Sequence, residues 1–301
     1  MGRISYQEVS CRSALNRVRG RFPFNWSLNP YSACSHRCAF CYARAYARRA
    51  DRPSDTRYGQ TIRVKVNVAA VLASELARPG WQGESVTIGT ATDAYQPAEG
   101  RFRLTRSCLE HLVARSNPFS ITTRGPLIVR DVDLLAEASR RSAVSVAFSV
   151  PTLDETIWRA TEPGTAPPRQ RLRALSVLAE AGVRAGVFLA PVLPGLSDRH
   201  ELLEQVVSAA GEAGASFVWL EMLNLKPGCR EHFLSVLAEQ FPEQLPLYQR
   251  LYARRAYLPA SLGAPLRAEL AELRRRYGIS DRRAFRPPQA PPGPVQLRLS
   301  I

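Results

Sequence analysis

Three cysteines fall within eight residues of this 301-residue chain. They are Cys34, Cys38 and Cys41, in the spacing C-x3-C-x2-C. Thiolates at such short spacings allow one loop to ligate an iron–sulfur cluster. Because a 4Fe–4S cluster has four irons, three cysteine ligands leave one iron open to a cofactor or substrate. The spacing therefore predicts a 4Fe–4S cluster held by these three cysteines.

Zinc is the competing interpretation of the same residues. A structural zinc site usually takes four ligands arranged as two pairs, and a second pair does not follow here, although His36 or a distant cysteine could complete the set. The alternative function is thus a zinc-dependent nucleic-acid-binding module without catalysis. A disulfide framework is not indicated, because the remaining cysteines, Cys11, Cys108 and Cys229, are scattered along the chain.

The charge of the chain is strongly basic. It carries 41 Lys and Arg against 26 Asp and Glu, a formal net charge of +15. Such an excess is compatible with a polyanionic partner such as nucleic acid. The sequence contains no apolar run of the roughly 18 residues that a membrane helix needs, and its N-terminus lacks the apolar core of a signal peptide. We therefore expect a cytoplasmic protein with no membrane partner; the oligomeric state is not indicated.

Strand-like and helix-like segments alternate through the middle of the chain. The six strand-like segments are 22–28, 85–90, 119–123, 143–150, 183–190 and 216–221, and a further short extended piece at 61–66 is not counted with them. Helical segments lie between them, with Asn67, Thr105 and Asp131 as expected N-caps. This alternation predicts an α/β fold with a parallel sheet, either an incomplete (β/α) barrel or an open doubly wound sheet. In both, the site lies at the C-terminal ends of the strands.

The chain divides into three predicted regions. Residues 1–21 form an irregular basic arm, 22–228 the core, and 229–301 a helical C-terminal extension that ends in a Pro-rich tail at 286–294. Within the extension, helices are expected at 231–240 and 266–277, with Pro265 as a helix-starting residue.

Motifs around the cysteines resemble a known family. Asn29-Pro30-Tyr31 precedes the cysteines, and Phe40 stands just before the last one. Further motifs are Thr92 through Glu99, Leu104-Thr105-Arg106, Thr122-Thr123-Arg124, Arg130-Asp131, Phe148-Ser149-Val150, Glu162-Pro163 and Pro191 through Gly195. Over residues 24–226 the sequence resembles the radical S-adenosylmethionine (SAM) superfamily, and more narrowly its spore photoproduct lyase-like branch.

The resemblance implies a partial (β/α)6 barrel of the TIM type, with the cluster in the loop after the first strand. It implies that SAM chelates the open iron through its amino and carboxylate groups. An electron donor such as flavodoxin or ferredoxin would supply the electron that cleaves SAM to a 5′-deoxyadenosyl radical. That radical would abstract hydrogen from a substrate that the resemblance does not identify, with nucleic acid as one candidate. The expected enzyme is of the lyase or transferase type.

Six residues are predicted to contact the cofactor. Thr92 and Asp93 follow a strand and could accept hydrogen bonds from the SAM ammonium, Arg124 could hold its carboxylate, and Ser149 could meet the ribose. Phe40 could pack on the cluster or the adenine, and Tyr42 completes the set. The competing interpretations are a capped turn for Thr92 and Asp93, a surface base for Arg124 and plain core for Phe40.

Two further features concern the surroundings of the site. Glu162 and Arg171 are expected to form an ion pair that braces the Pro-rich loop between them. Photoproduct lyases use an additional cysteine as hydrogen donor at the end of the strand after the cluster, but residues 88–92 of this chain contain no cysteine. Lesion repair by that mechanism is therefore not expected.

Overall fold

The computed structural model describes residues 4–18 and 24–280. The strands of this part are β1 Ser5–Val9, β2 Leu15–Arg17, β3 Trp26–Leu28, β4 Tyr31–Ser32, β5 Thr61–Lys65, β6 Val86–Ile88, β7 Phe119–Thr123, β8 Val144–Ser149, β9 Ala185–Val192 and β10 Val218–Met222. The α-helices are α1 Ala43–Arg49, α2 Val68–Leu76, α3 Pro97–Phe102, α4 Leu104–Ala114, α5 Val132–Arg141, α6 Glu155–Thr161, α7 Pro168–Glu180, α8 His200–Glu212, α9 Cys229–Gln240, α10 Leu245–Leu251 and α11 Ala260–Arg276.

Six parallel strands form the main sheet. β3, β6, β7, β8, β9 and β10 are neighbours in chain order, and β2 is added antiparallel at the β3 edge. Each strand pairs with the next one in parallel register, as Leu28 does with Ile88 and Ile88 with Ile121. Helices form the connections between these strands, so the predicted α/β fold of the partial (β/α)6 kind is confirmed. Each of the six predicted strand segments overlaps one of these strands, and β9 and β10 extend one or two residues beyond the predicted ends.

The sheet strands are apolar along most of their length. Residues on both faces of these strands are buried: Val146 and Phe148 lie on one face of β8 and Ala147 on the other, and β9 buries Val187 on one face and Gly186 on the other. Parallel strands that connect through helices are covered on both sides and therefore carry apolar runs instead of an alternating pattern. This is why the sequence revealed these strands clearly.

A second, smaller sheet differs from the sequence prediction. Ser5–Val9 pairs in parallel with Thr61–Lys65, and β4 pairs antiparallel with β5. The expected irregular arm at 1–21 thus contains β1 and β2. The short extended piece at 61–66, which was not counted among the predicted strands, contains β5. Most side chains of β1 are exposed, so backbone pairing holds this strand and its sequence shows no apolar pattern. Residues 1–3 and 19–23 lie outside the described part.

Three predicted N-caps do not act through their side chains. Asn67 precedes α2 as expected, but its amide exchanges hydrogen bonds with the backbone of Cys11. Thr105 lies inside α4 and donates to the carbonyl oxygen of Ala94. Asp131 precedes α5, and its carboxylate binds side chains instead of the helix terminus. Tertiary partners therefore outcompete local capping at all three positions.

The C-terminal helices pack against the cysteine segment. Phe40 lies edge-on to Phe233 of α9, with ring centroids 6.5 Å apart, and Phe233 contacts Tyr248 of α10 in the same way at 5.4 Å. Pro265 lies inside α11, which begins earlier than predicted. The division at residue 228 stays a prediction, and the Pro-rich tail at 286–294 lies outside the described residues. In the described part of the chain, helices long and apolar enough to span a membrane are not found.

Candidate functional site

The three clustered cysteines lie on the loop between β4 and α1. Cys34 and Cys38 are buried and Cys41 is half-buried, and none of the three is in a disulfide. Ala33 and Arg37 take left-handed backbone conformations, with φ of 65° and 54°. Tight turns follow, in which Arg37 N donates to Cys34 O over 3.3 Å and Cys41 N donates to Cys38 O over 3.2 Å. We call residues 33–41 the cysteine loop.

Two glycines allow neighbouring segments to reach the backbone of the cysteine loop. A Cβ atom on Gly59 would lie 2.2 Å from the carbonyl oxygen of Cys34, and one on Gly164 would lie 2.5 Å from that of Ser35. Gly164 N also donates to His36 O over 3.0 Å. Only a residue without a side chain allows such close approach, so these glycines fix the path of the loop from two sides.

The segment after β6 holds the cysteine loop from a third side. Thr92 Oγ1 donates to the carbonyl oxygen of Ala33 over 2.6 Å. Gln96, which is fully buried, accepts from the backbone amide of Ser35 over 3.0 Å and donates to Ala33 O over 3.1 Å. Sequence reasoning missed Gln96, because an amide side chain carries no chemical signal of its own; its position after a strand end was the available clue.

Asp93 is saturated by contacts within the protein. Its carboxylate accepts from Thr123 Oγ1 and from the amides of Tyr95 and Arg124 at 2.6 to 2.9 Å, and His36 Nδ1 lies 3.3 Å from it. Burial opposes ionisation, yet His36 and these donors lower the pKa of Asp93 to about 2. The carboxylate thus ties the ends of β6 and β7 to the cysteine loop, and its contact with the SAM ammonium stays a prediction.

A group of three charges lies beside the loop, in which Glu162 and Arg171 are buried and Arg124 is half-buried. Glu162 accepts from Arg124 Nε and lies 3.0 Å from Arg171 Nη1, which confirms the expected Glu162–Arg171 pair. Arg124 also lies over the ring of Phe40, with 5.5 Å between the guanidinium carbon and the ring centroid. It is not a surface base. Two guanidinium groups share one carboxylate, so the group carries one net positive charge.

The other predicted cofactor contacts are at the same edge of the sheet. Ser149 is the last residue of β8 and is buried, and its carbonyl oxygen accepts from Arg171 over 2.7 Å. Phe40 is buried in the core that α9 and α10 complete. Tyr42 is 38% exposed, and its hydroxyl donates to the carbonyl oxygen of Thr90. The fold therefore brings all six residues to the C-terminal ends of the strands.

The donor set of the loop fits an iron–sulfur cluster. Burial raises the pKa of Cys38 well above its usual value, while the cation of Arg124 acts in the opposite direction and favours the thiolate. Among the described residues, groups of three His, Cys, Asp or Glu side chains that converge on one metal ion are not found. Three thiols on one loop are the ligand type that iron–sulfur clusters take. His36, the candidate fourth zinc ligand, has its Nδ1 3.3 Å from Asp93 Oδ2.

The sequence matches a family model and several relatives. The model of the radical SAM superfamily matches residues 28–206. The chain is 40% identical over 300 residues to an uncharacterized protein of Mycobacterium tuberculosis, Rv2578c, a match that covers 99% of this chain and 88% of the relative. It is 25% identical over 263 residues to an uncharacterized protein of Methanocaldococcus jannaschii, which covers 85% of this chain and 94% of the relative.

Solved structures share the fold. Spore photoproduct lyase in complex with a dinucleoside spore photoproduct has a TM-score of 0.67 at 16% identity, covering 90% of this chain and 79% of that one. A mutant of that lyase with bound AdoMet and the dinucleoside gives the same TM-score and the same coverage at 15% identity. At this identity the likeness concerns the fold alone.

Proposed function

Because this chain belongs to the radical SAM superfamily, and is therefore an enzyme, we propose that Cys34, Cys38 and Cys41 bind a 4Fe–4S cluster whose open iron takes SAM. When bound, the cluster and SAM supply one-electron cleavage of the bond from sulfur to the 5′ carbon and a radical that abstracts hydrogen from the substrate. The observation that carries this proposal is the cysteine loop, fixed from three sides at the C-terminal ends of the strands.

The residues of the chain provide position and shelter for this chemistry. Gly59, Gly164 and Gln96 hold the cysteine loop in place, and Phe40 packs the loop into the core beneath it. Phe40, Tyr42, Thr92, Asp93, Arg124 and Ser149 remain the proposed SAM-binding set. Burial at this edge excludes water, which protects a reactive radical from side reactions.

We propose nucleic acid as the substrate class. Three tyrosines that we call the tyrosine rim, Tyr42, Tyr46 and Tyr257, are 38%, 43% and 58% exposed. Arg49 lies 6.0 Å from the centroid of the Tyr46 ring, and Lys226 lies 5.3 Å from that of Tyr257. Exposed aromatic rings beside cations are typical of surfaces on which unstacked bases bind.

Two residues of the tyrosine rim border the cysteine loop. Tyr42 and Tyr46 belong to the segment that leaves the loop, and their rings are 5.9 Å apart. The beginning of α9 packs on α1, because a Cβ atom on Gly228 would lie 3.2 Å from Cβ of Arg48, and Lys226 lies two residues before this glycine. The dinucleoside bound by the structurally similar lyase and the net charge of +15 support the same substrate class.

Photoproduct repair itself is not part of the proposal. Residues 88–92 comprise the last residue of β6 and the four residues after it, and they include no cysteine. Cys108 is fully buried in α4, within the apolar core. The hydrogen-donor cysteine of photoproduct lyases thus has no counterpart at that strand end. The proposed reaction is of the lyase or transferase type.

An electron donor and a cellular location also belong to the proposal. A low-potential electron donor of the flavodoxin or ferredoxin class supplies the electron. The reducing interior of a cell, where unpaired cysteines and iron–sulfur clusters persist, is the proposed location.

Anaerobic purification followed by iron, zinc and sulfide analysis tests the proposal. We expect iron and sulfide in amounts that fit one 4Fe–4S cluster per chain, and 5′-deoxyadenosine after addition of SAM and dithionite. Stoichiometric zinc without sulfide would establish the alternative, a zinc-dependent nucleic-acid-binding module. Repeating the nucleoside assay with DNA, RNA and peptide additives then identifies the substrate class.

A further inference from the structure

Arg44 is a buried arginine directly behind the cysteine loop. It lies on α1, and its side chain is 1% exposed. The guanidinium group donates to four backbone carbonyls, those of Cys38, Arg37, Ser54 and Asp55, at 2.6 to 3.3 Å. These bonds satisfy its hydrogen-bonding capacity but provide no negative charge.

Arg44 has no anionic partner in the part of the chain that the structure describes. No carboxylate of residues 4–18 or 24–280 lies within 4.0 Å of it, whereas Arg124 and Arg171 share Glu162 nearby. An arginine remains protonated in proteins, and a buried charge without a counter-charge costs free energy. The fold therefore retains one uncompensated positive charge at this position.

The side chains next to the Arg44 guanidinium include a phenol and the thiols of the cysteine loop. The ring of Tyr58 lies 4.7 Å from the guanidinium carbon, and its hydroxyl is 3.9 Å from Cys41 Sγ. Iron binding converts cysteine thiols to thiolates, so ligation by Cys38 and Cys41 would supply the negative charge that the described carboxylates do not.

We propose that Arg44 is the counter-cation of the iron–sulfur cluster. This inference rests on the proposed function, since it requires the cluster on Cys34, Cys38 and Cys41. One electron passes from the flavodoxin- or ferredoxin-class donor to the cluster, which gains one negative charge as the donor loses one. A fixed cation stabilises the more negative, reduced cluster more than the oxidised one, and net charge near a cluster sets its reduction potential.

The test compares two variants of the anaerobically loaded full-length chain. Arg44→Gln removes the charge, and Arg44→Lys keeps it while losing most of the hydrogen bonds. We expect Arg44→Gln to lower the equilibrium constant for cluster reduction about tenfold, which is about 59 mV for one electron, and Arg44→Lys to remain close to wild type. The readout is the cluster reduction potential, titrated with mediators and followed by electron paramagnetic resonance. Arg48→Gln, an exposed residue of the same helix, is the control.

Every result separates the charge from a purely structural role. An unchanged potential in Arg44→Gln, or equal shifts in both Arg44 variants, would overturn the proposal. If Arg44→Gln does not load iron and sulfide, loading of Arg44→Lys supports the charge role, and loss of the cluster in both variants contradicts it. A wild-type chain that lacks iron and sulfide would instead refute the proposed function.

Discussion

The α-carbon of Gly59 lies against the carbonyl oxygen of Cys34, the first cysteine of the loop. A Cβ atom at residue 59 would be 2.2 Å from that oxygen, and the backbone of Gly59 has a φ of +78°. The carbonyl belongs to the turn that leads from Cys34 to Arg37. A residue eighteen positions beyond the last cysteine therefore determines where the loop can run.

Gly59→Ala should displace the cysteine loop and lower the iron and sulfide content of the chain. Gly182→Ala is a matched control, because Gly182 has a φ of +77° but nothing within 4 Å of its Cβ position. Both variants carry the roughly 1 to 2 kcal/mol penalty of a left-handed alanine, and only Gly59→Ala adds a collision with backbone. Equal metal content in the two variants, measured after the same anaerobic reconstitution, would refute this prediction.

Cys38→Ala should abolish cluster binding, since two remaining thiolates cannot hold the cubane at this loop. We expect background iron and sulfide and loss of the visible absorbance of the cluster. Cys11→Ser is the control: Cys11 is unpaired and only partly buried, and its backbone, not its thiol, binds Asn67. A Cys38→Ala chain that retains wild-type sulfide would remove Cys38 from the ligand set.

Glu162→Gln should destabilise the protein by about 3 to 5 kcal/mol, because it leaves the buried Arg171 and the half-buried Arg124 without their shared carboxylate. Urea unfolding of the full chain measures the loss. Glu155→Gln breaks an ion pair with Arg159 in which both side chains are 68% exposed, and it should change stability by about 0.5 kcal/mol or less. Similar losses for the two variants would show that burial of the group contributes little.

His200 should make the docking of α11 dependent on pH. His200 Nδ1 lies 2.7 Å from Glu269 of α11, Nε2 lies 3.5 Å from Glu204, and hydrogen bonding to Glu269 raises the pKa of His200 above 6.5. Glu201 also faces this histidine, and Arg276 competes for Glu204. A raised folded-state pKa stabilises the fold fully below the unfolded pKa, and the contribution is lost as the pH rises through the folded value.

Melting temperatures of wild type and His200→Gln should therefore differ more at about pH 5 than at about pH 9. In a Glu269→Gln background the substitution should have a smaller effect at the lower pH. A difference that does not vary with pH would mean that the protonated histidine is not what holds α11 on α8.

Tyr46→Ala should weaken the binding of single-stranded oligonucleotides. Loss of one stacked base is worth about 1 to 3 kcal/mol, which corresponds to roughly a fivefold to hundredfold increase in Kd. Fluorescence anisotropy at several salt concentrations measures it, and added salt should weaken binding by the wild type as phosphate contacts are screened. Val177→Ala, which shortens an exposed apolar residue of α7, is the control; an equal effect there would argue against the tyrosine rim.

The sequence was most informative where burial leaves an apolar pattern. All six strands of the parallel sheet were predicted, because residues such as Phe148 and Val187 lie in runs that are buried on both faces. β1 was not, since its pairing with β5 uses backbone atoms and leaves most of its side chains exposed. Periodicity detects burial, and it does not detect a short surface strand held by backbone pairing.

The site was predictable in its residue types but not in their pairing. The spacing of the cysteines pointed to the loop, and strand ends pointed to Thr92, Asp93, Arg124 and Ser149. That Asp93 accepts three hydrogen bonds from the protein and lies beside His36 depends on the three-dimensional order of β6, β7 and the cysteine loop. The hydrogen bonds of Gln96 to the backbone of the cysteine loop could not be predicted for the same reason.

The contact of Phe40 with Phe233 has a consequence for how the protein is made. The ribosome releases the chain from its N-terminus, so all three cysteines emerge long before α9 and α10. Until the segment through Tyr252 has been synthesised, the apolar face behind the cysteine loop lacks the side chains that cover it. We therefore expect the proposed cluster to meet a finished site only after this segment has been synthesised.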